Sequence, residues 1–304
     1  MKTLAAIPCH NEELAIGTVV LKARKYVDEV LVVDDGSTDG SAEVAEAAGA
    51  VVVSHEQNKG YGAAIQSCFS YAKKSNFEVL IILDGDGQHD PAYIPDFVKA
   101  LKTSKADVVV GSRFYERNGE NSRTIPRYRI VGMKVLNLFT QIGGNIKTTD
   151  SQSGYRAYSR RAIEKVKIRN LGMGAGSEIL TQAKDCNLKL VEIPITARYD
   201  IANTSSKNPV SHGFGVLGWL ISLTSERRPL FFFGLVGGVL AAVGLVLGAN
   251  VLYILNTGGG IGRIAVGSAI LSVLFIVIGV FSLFTGLILN AVKKGKEEKN
   301  KING

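Results

Sequence analysis

The residues best equipped for chemistry lie in one short stretch, Asp84-Gly85-Asp86-Gly87-Gln88-His89. It follows the apolar run Val79–Leu83, so two carboxylates emerge one residue apart where a buried strand ends. Gly85 and Gly87 let a ligand approach the backbone closely. Carboxylate and amide oxygens suit a hard divalent cation, Mg²⁺ or Mn²⁺. Such a cation bridges a diphosphate and neutralises the charge that grows on a departing phosphate. Taken alone, the stretch also reads as a polar turn capped by aspartate.

Other polar clusters end strands in the same abrupt way. Asp34-Asp35-Gly36-Ser37-Thr38-Asp39 follows Glu29–Val33. Asp35 could accept hydrogen bonds from a base or ribose, while Ser37 or Asp39 caps the next helix. Ile7-Pro8-Cys9-His10-Asn11-Glu12-Glu13 ends the first strand, and Asn58-Lys59-Gly60-Tyr61-Gly62 precedes a helix with glycines suited to a phosphate-side loop. Gly111-Ser112-Arg113 follows a further strand, and Asn121–Arg129 adds Arg123, Arg127 and Arg129. An acceptor phosphate is already an anion at neutral pH, so it needs cations to hold it and no strong general base. A solvated basic loop is the plainer reading of those arginines.

Strands at Leu4–Ile7, Glu29–Val33, Ala50–Ser54, Val79–Leu83 and Asp107–Val110 would present these clusters. Helices at Asn11–Tyr26, Ser41–Ala48, Gly62–Lys74 and Pro91–Leu101 alternate with them. The first helix offers Leu14, Val19, Val20 and Ala23 for one face, and Gly49 suits a C-cap. The alternation predicts an α/β fold, a parallel sheet covered on both faces, with ligands beyond the carboxyl ends of the strands.

The C-terminal third differs. Pro229–Leu255 and Ile264–Val292 carry no charged residue, and each exceeds the roughly 20 residues that span about 30 Å of hydrocarbon. Arg227 and Arg228 precede the first, Lys293, Lys294 and Lys296 follow the second, and the short link holds only Arg263. The positive-inside rule then places both termini in the cytoplasm, as a multi-pass protein of the cell membrane. Pro209–Leu223, with Trp219, reads as an interfacial helix or as an ordinary amphipathic helix on the first domain. The expected division is a catalytic domain over 1–208, an interfacial segment over 209–228, a transmembrane hairpin over about 229–255 and 264–292, and a mobile basic tail over 293–304.

The formal net charge of +8 is scattered except beside these apolar stretches, which points to anionic membrane lipids and away from nucleic acid. Cys9, Cys68 and Cys186 are far apart and form no CxxC pair, against a disulfide framework or zinc site. No secretory signal peptide is expected at the N-terminus. No GxGxxG follows the first strand, which disfavours a dinucleotide oxidoreductase.

In order and spacing, the Pro-x-x-Asn-Glu-Glu opening, Asp-Asp-Gly-Ser-x-Asp, Asn-x-Gly-x-Gly, Asp-x-Asp-x-Gln-His and Gly-Ser-Arg elements resemble glycosyltransferase family 2. Ser153-Gly154-Tyr155-Arg156 is similar to an element of its polyprenyl-phosphate branch, the relatives of dolichol-phosphate mannose synthase. The resemblance covers residues 1 to about 210 and implies a GT-A fold, a Rossmann-like sheet that binds a nucleotide-sugar. It implies transfer of a hexose from a UDP- or GDP-sugar to dolichyl or polyprenyl phosphate, with a divalent metal. Pro8, His10 and Glu12 would line base and ribose, with Val33 and Asp35 opposite. Asp86 and Gln88 would hold the metal, while Asp84, Gly85 and Gly87 face ribose and sugar. Arg113 and Lys207 would meet the diphosphate, and Arg127, with Ser153 and Arg156, the lipid phosphate. The family usually has an arginine about six residues before that lysine; Ile201 stands there, and Arg198 is the nearest. A processive polysaccharide synthase shares the donor fold but carries a QxxRW element absent here, and a catalytically silent adaptor would not need the acidic and basic residues kept intact.

Overall fold

The computed structural model describes residues 1–115, 137, 140–141, 146–197, 218, 221, 224–225, 228–257 and 263–302. Arg127, Arg129, Arg198, Lys207 and most of the proposed interfacial segment lie outside the described residues. The chain divides into two compact units, Met1–Leu220 and Ile221–Gly304.

The first unit is built on seven strands: β1 (Thr3–Cys9), β2 (Glu29–Asp34), β3 (Val51–Ser54), β4 (Val79–Ile82), β5 (Val108–Ser112), β6 (Arg156–Ser159) and β7 (Leu190–Pro194). They pair in the order β3-β2-β1-β4-β6-β5-β7. Alternate residues of each central strand enter opposite layers, as period-2 geometry requires. Leu4, Ala6, Leu80 and Ile82 pack with helices α3 (Tyr61–Lys74), α5 (Arg160–Lys165) and α6 (Ala175–Asp185). Ala5, Ile7, Val79 and Ile81 pack with α1 (Glu13–Ala23), α2 (Ser41–Ala47) and α4 (Ile94–Thr103). Gly49 ends α2 as expected, at φ +88 with its N–H donating to the Glu46 carbonyl.

Two sequence expectations need refinement. The sheet is mixed: β6 runs antiparallel between β4 and β5. Reversal places Arg156, the first residue of β6, opposite Ile82 and Val110 near the carboxyl ends of its neighbours. The preceding Ser153-Gly154 is thereby delivered to the ligand end of the sheet. On α1, Ile16 joins Val19, Val20 and Ala23 in the core, whereas Leu14 is 86% exposed. Leu14 and Ile16 are two positions apart, about 200° around a helix, so one face cannot bury both.

The second unit holds α7 (Pro229–Asn256) and α8 (Arg263–Ile302). Both contain windows long and apolar enough to cross a membrane, and only 11% and 17% of those windows is buried. Small residues bring the helix backbones together. A Cβ on Gly237 would lie 2.5 Å from the Gly279 carbonyl, and Ser272 Oγ donates to the Gly244 carbonyl at 2.6 Å. Such close approach and interhelical hydrogen bonding suit packing in lipid. Helix α8 continues through most of the tail expected to be mobile.

Candidate active site

A cavity of about 310 Å³ opens beyond the carboxyl ends of β1, β2 and β4 and the amino end of β6. The end of β1 supplies Pro8, the turn after it His10 and Glu12, and the turn after β2 supplies Asp35. Asp84, Gly85 and Asp86 follow β4, and Ser153, Gly154 and Arg156 precede and open β6. Asn58, Tyr61, Gln152 and Met173 complete much of the wall.

The first two turns are stitched together. Asn11 takes a positive φ of 58°. Its N–H donates to Ser37 Oγ at 2.9 Å, and its Oδ1 accepts the Thr38 N–H at 2.8 Å. Asp39 accepts N–H groups from Glu13 and Ser41, tying the starts of α1 and α2. Of the two capping candidates, Ser37 and Asp39, neither is the N-cap of α2, which is Gly40; Asp39, one residue earlier, accepts the Ser41 N–H instead. His10 Nδ1 donates to the Asp35 carbonyl at 3.1 Å, which fixes its ring at the cavity wall. Asp35 also anchors the next loop: its carboxylate accepts Lys59 N–H at 2.9 Å and Gly60 N–H at 2.8 Å. That loop opens α3, where Gly62 is pressed against the 170–172 backbone: a Cβ there would stand 2.0 Å from the Asn170 carbonyl.

The turn after β4 concentrates negative charge. Asp86 is raised to about 6, mainly by burial and then by Asp84. Asp84 is also raised to about 6 by burial, against the pull of Arg113 and Arg156. A third of its side chain still opens on the cavity. Glu12 is raised to about 7 by burial and by the Asp86 and Asp84 carboxylates facing it. The Gln88 N–H donates to Asp86 Oδ1 at 2.9 Å, but Gln88 and Gly87 lie outside the cavity lining. His89 turns inward instead, 6% exposed and against the Tyr155 ring. Burial lowers it to about 4, and its Nδ1 accepts the Asp84 N–H at 3.3 Å. Its 3.4 Å approach to Asp84 Oδ2 is therefore no ion pair near neutral pH.

Positive charge meets this cluster from β6. Arg156 is 2% exposed and donates to the Gly176 and Ser151 carbonyls at 2.6 and 2.7 Å. Its buried Nε has no hydrogen-bond partner among the described residues. A buried guanidinium held only partly by carbonyls is suited to an anion in the cavity. Arg113 is placed differently from expectation: it forms a fork with Asp150, at 2.7 and 2.8 Å, and does not line the cavity. Asp150 is wholly buried, so this pair secures the irregular segment leading to Ser153. Asn137 helps by accepting Ser151 N–H and Oγ–H. Val33 is also absent from the lining, being fully buried in the core on the α3 side.

Among the described residues, no three His, Cys, Asp or Glu side chains converge as a ready metal cage. The donor chemistry nonetheless fits Mg²⁺ or Mn²⁺, because Mg²⁺ commonly uses one or two carboxylates and completes its shell with substrate phosphates. Sequence reading missed His55, which contacts Asp35, and the Asp150 and Asn137 supports. A histidine directly after β3 was a signal for the first; the other two depend on pairings across the fold.

Residues 5–167 match Glycosyl transferase family 2. Glycosyltransferase AglJ of Haloferax volcanii is 32% identical, over 81% of this chain and 80% of its own length. Undecaprenyl-phosphate mannosyltransferase of Micrococcus luteus is 32% identical, over 64% and 83%. UDP-N-acetylglucosamine–dolichyl-phosphate N-acetylglucosaminyltransferase of Methanococcus voltae is 29% identical, over 71% and 94%. The fold is also that of glucosyl-3-phosphoglycerate synthase from Mycobacterium tuberculosis, solved with Mn²⁺, UDP and product, with TM-score 0.53 and 22% identity over 73% of this chain and 79% of that one. With acidic turns gathered at the ends of a mixed sheet and a profile match over more than half its length, this chain belongs to glycosyl transferase family 2.

Proposed function

We propose that this glycosyltransferase moves a hexose from a UDP- or GDP-sugar onto dolichyl or polyprenyl phosphate at the cytoplasmic membrane face. The observation that carries this reading is one cavity that joins opposed chemistry: the carboxylates Glu12, Asp84 and Asp86, and Arg156, whose buried Nε has no partner among the described residues. The names of the Micrococcus and Methanococcus relatives support a lipid-phosphate acceptor. The nucleotide and metal in the mycobacterial structure support the donor assignment.

In this reading Pro8, His10, Glu12 and Asp35 hold base and ribose, and Asp84 with Gly85 faces ribose and sugar. Asp86 holds the divalent ion, with Gln88 beside it as the second ligand expected from the family pattern. When bound, the metal stabilises negative charge on the leaving nucleoside diphosphate. Ser153 and Arg156 hold the acceptor phosphate together with Arg127, and Lys207 acts at the donor diphosphate; Arg113, engaged with Asp150, supports the segment that carries Ser153. An acceptor phosphate oxygen forms the new bond to the anomeric carbon as the bond to the nucleoside diphosphate breaks. The electron pair leaves with that diphosphate, and one displacement inverts the anomeric centre. The phosphate is already anionic, so Asp84 is needed for orientation and not for removing its proton.

Residues 1–208 form the catalytic domain, 209–228 an interfacial segment, 229–255 and 264–292 a transmembrane hairpin, and 293–304 a cytoplasmic tail. The basic residues flanking the hairpin support this topology. Asp86→Ala tests the metal role: transfer should be abolished, and EDTA should abolish it in the unaltered protein. Full transfer by Asp86→Ala in excess EDTA would exclude that role.

A further inference from the structure

Asp35 is aimed at the cavity from behind by a short hydrogen-bonded chain. His55 follows β3 directly, and its Nδ1 lies 2.7 Å from Asp35 Oδ1. On the ring's other side, Nε2 lies 2.9 Å from Ser67 Oγ on α3. Asp35 lines the cavity, whereas His55 and Ser67 do not. The carboxylate oxygen is an acceptor, so Nδ1 carries the proton and Nε2 of a neutral ring accepts the serine O–H.

Ser67, His55 and Asp35 have the connectivity of a hydrolytic triad, but its direction is reversed. Asp35, at the acidic end, lines the cavity, and Ser67, at the hydroxyl end, does not. The arrangement therefore transmits position to Asp35. The same carboxylate holds the Lys59 and Gly60 N–H groups, so the wall of the cavity and the loop opening α3 share one anchor. Removing the His55 donor would leave Oδ1 with the Lys59 N–H alone and loosen a carboxylate whose side chain is only 5% exposed.

We propose that His55 is a positioning residue for the nucleotide subsite, orienting Asp35 towards the base or ribose, and that Ser67 fixes the imidazole. This rests on the donor assignment above. It assigns no proton transfer to His55 and no nucleophilic role to Ser67.

The test is calorimetric titration of the full chain in detergent with UDP and with GDP, each with Mg²⁺, followed by kinetics with polyprenyl phosphate varied. For the nucleotide that the unaltered protein binds, His55→Leu should weaken affinity about tenfold and Ser67→Ala about threefold, as expected for one lost buried hydrogen bond and one loosened support. His55→Asn, whose amide can replace the Nδ1 donor, should recover most of the loss. The KM for polyprenyl phosphate should stay unchanged, which a general loss of structure would not produce. Ser67 is only partly buried, so its variant reads the chain even if His55→Leu does not fold. Unaltered nucleotide affinity in Ser67→Ala and in the folded His55 variants would overturn the inference while leaving the donor assignment standing. If the unaltered protein binds neither nucleotide, the donor assignment fails and this inference fails with it.

Discussion

Gly154 sits directly against the Asp84 carboxylate: a Cβ at position 154 would stand 2.6 Å from Oδ2 and 2.7 Å from Oδ1. The glycine before β6 thus shapes the carboxylate after β4, two elements brought together because β6 runs backwards beside β4. Gly154→Ala must push Asp84 aside. A displacement of that order in a positioning group costs about a hundredfold in rate. Steady-state kinetics should show that loss in kcat, and a variant with normal kcat would mean that the placement of Asp84 is immaterial to transfer.

Crowded carboxylates make a pH prediction. Glu12 is raised to about 7 by burial and by Asp86 and Asp84. In the unfolded chain a glutamate titrates near its ordinary value, about 4.3. Between those values the folded state binds more protons, so the Glu12 contribution to stability is present at low pH and lost as pH rises through about 7. His89, lowered to about 4, contributes in the opposite sense, so total stability does not isolate Glu12. The difference between Glu12→Gln and the unaltered protein does. In EDTA the variant should gain in Tm relative to the unaltered protein between pH 5 and pH 8. A constant difference would contradict the burial and repulsion assigned to Glu12.

The Arg113–Asp150 fork predicts a stability defect. Asp150→Ala leaves a guanidinium that is 15% exposed without its carboxylate partner. The expected cost is about 3 kcal/mol, at the lower end for a broken buried pair because Arg113 keeps some contact with water. Denaturant unfolding in detergent, followed by limited proteolysis, measures it. A change within about 0.5 kcal/mol, ordinary for an exposed site, would show that the fork does not anchor the segment before Ser153.

These predictions separate what local sequence can reveal from what only the fold supplies. Strands β1, β2 and β4 were legible because apolar runs stop sharply at polar turns, and those turns carry much of the cavity wall. The two apolar helices were equally plain from length and lack of charge. Strand β6 was not, because Arg156–Ser159 is four residues long and its direction depends on pairing with β4 and β5. The same nonlocality hid the partner of Arg113, which stands 37 positions away in sequence. The family resemblance set Val33 opposite the base, yet both faces of β2 are covered by helices and Val33 is buried in the core.

The hairpin's flanking charges predict its orientation. Single cysteines at Lys2 and Lys301 should react with a membrane-impermeant reagent only after cells are permeabilised. Cys186, partly exposed, must first be replaced, while Cys9 and Cys68 are buried. Labelling of either introduced site in intact cells would contradict the proposed cytoplasmic placement.

The central claim is transfer to a lipid phosphate. Purified full-length protein in detergent should be incubated with a short polyprenyl phosphate, Mg²⁺ and a panel of UDP- and GDP-sugars labelled in the sugar. One donor should pass its label into the organic phase as an acid-labile lipid phosphosugar, and omission of the lipid phosphate or addition of EDTA should prevent this. Label that remains aqueous with every donor, or enters a soluble polysaccharide without the lipid, would contradict the account.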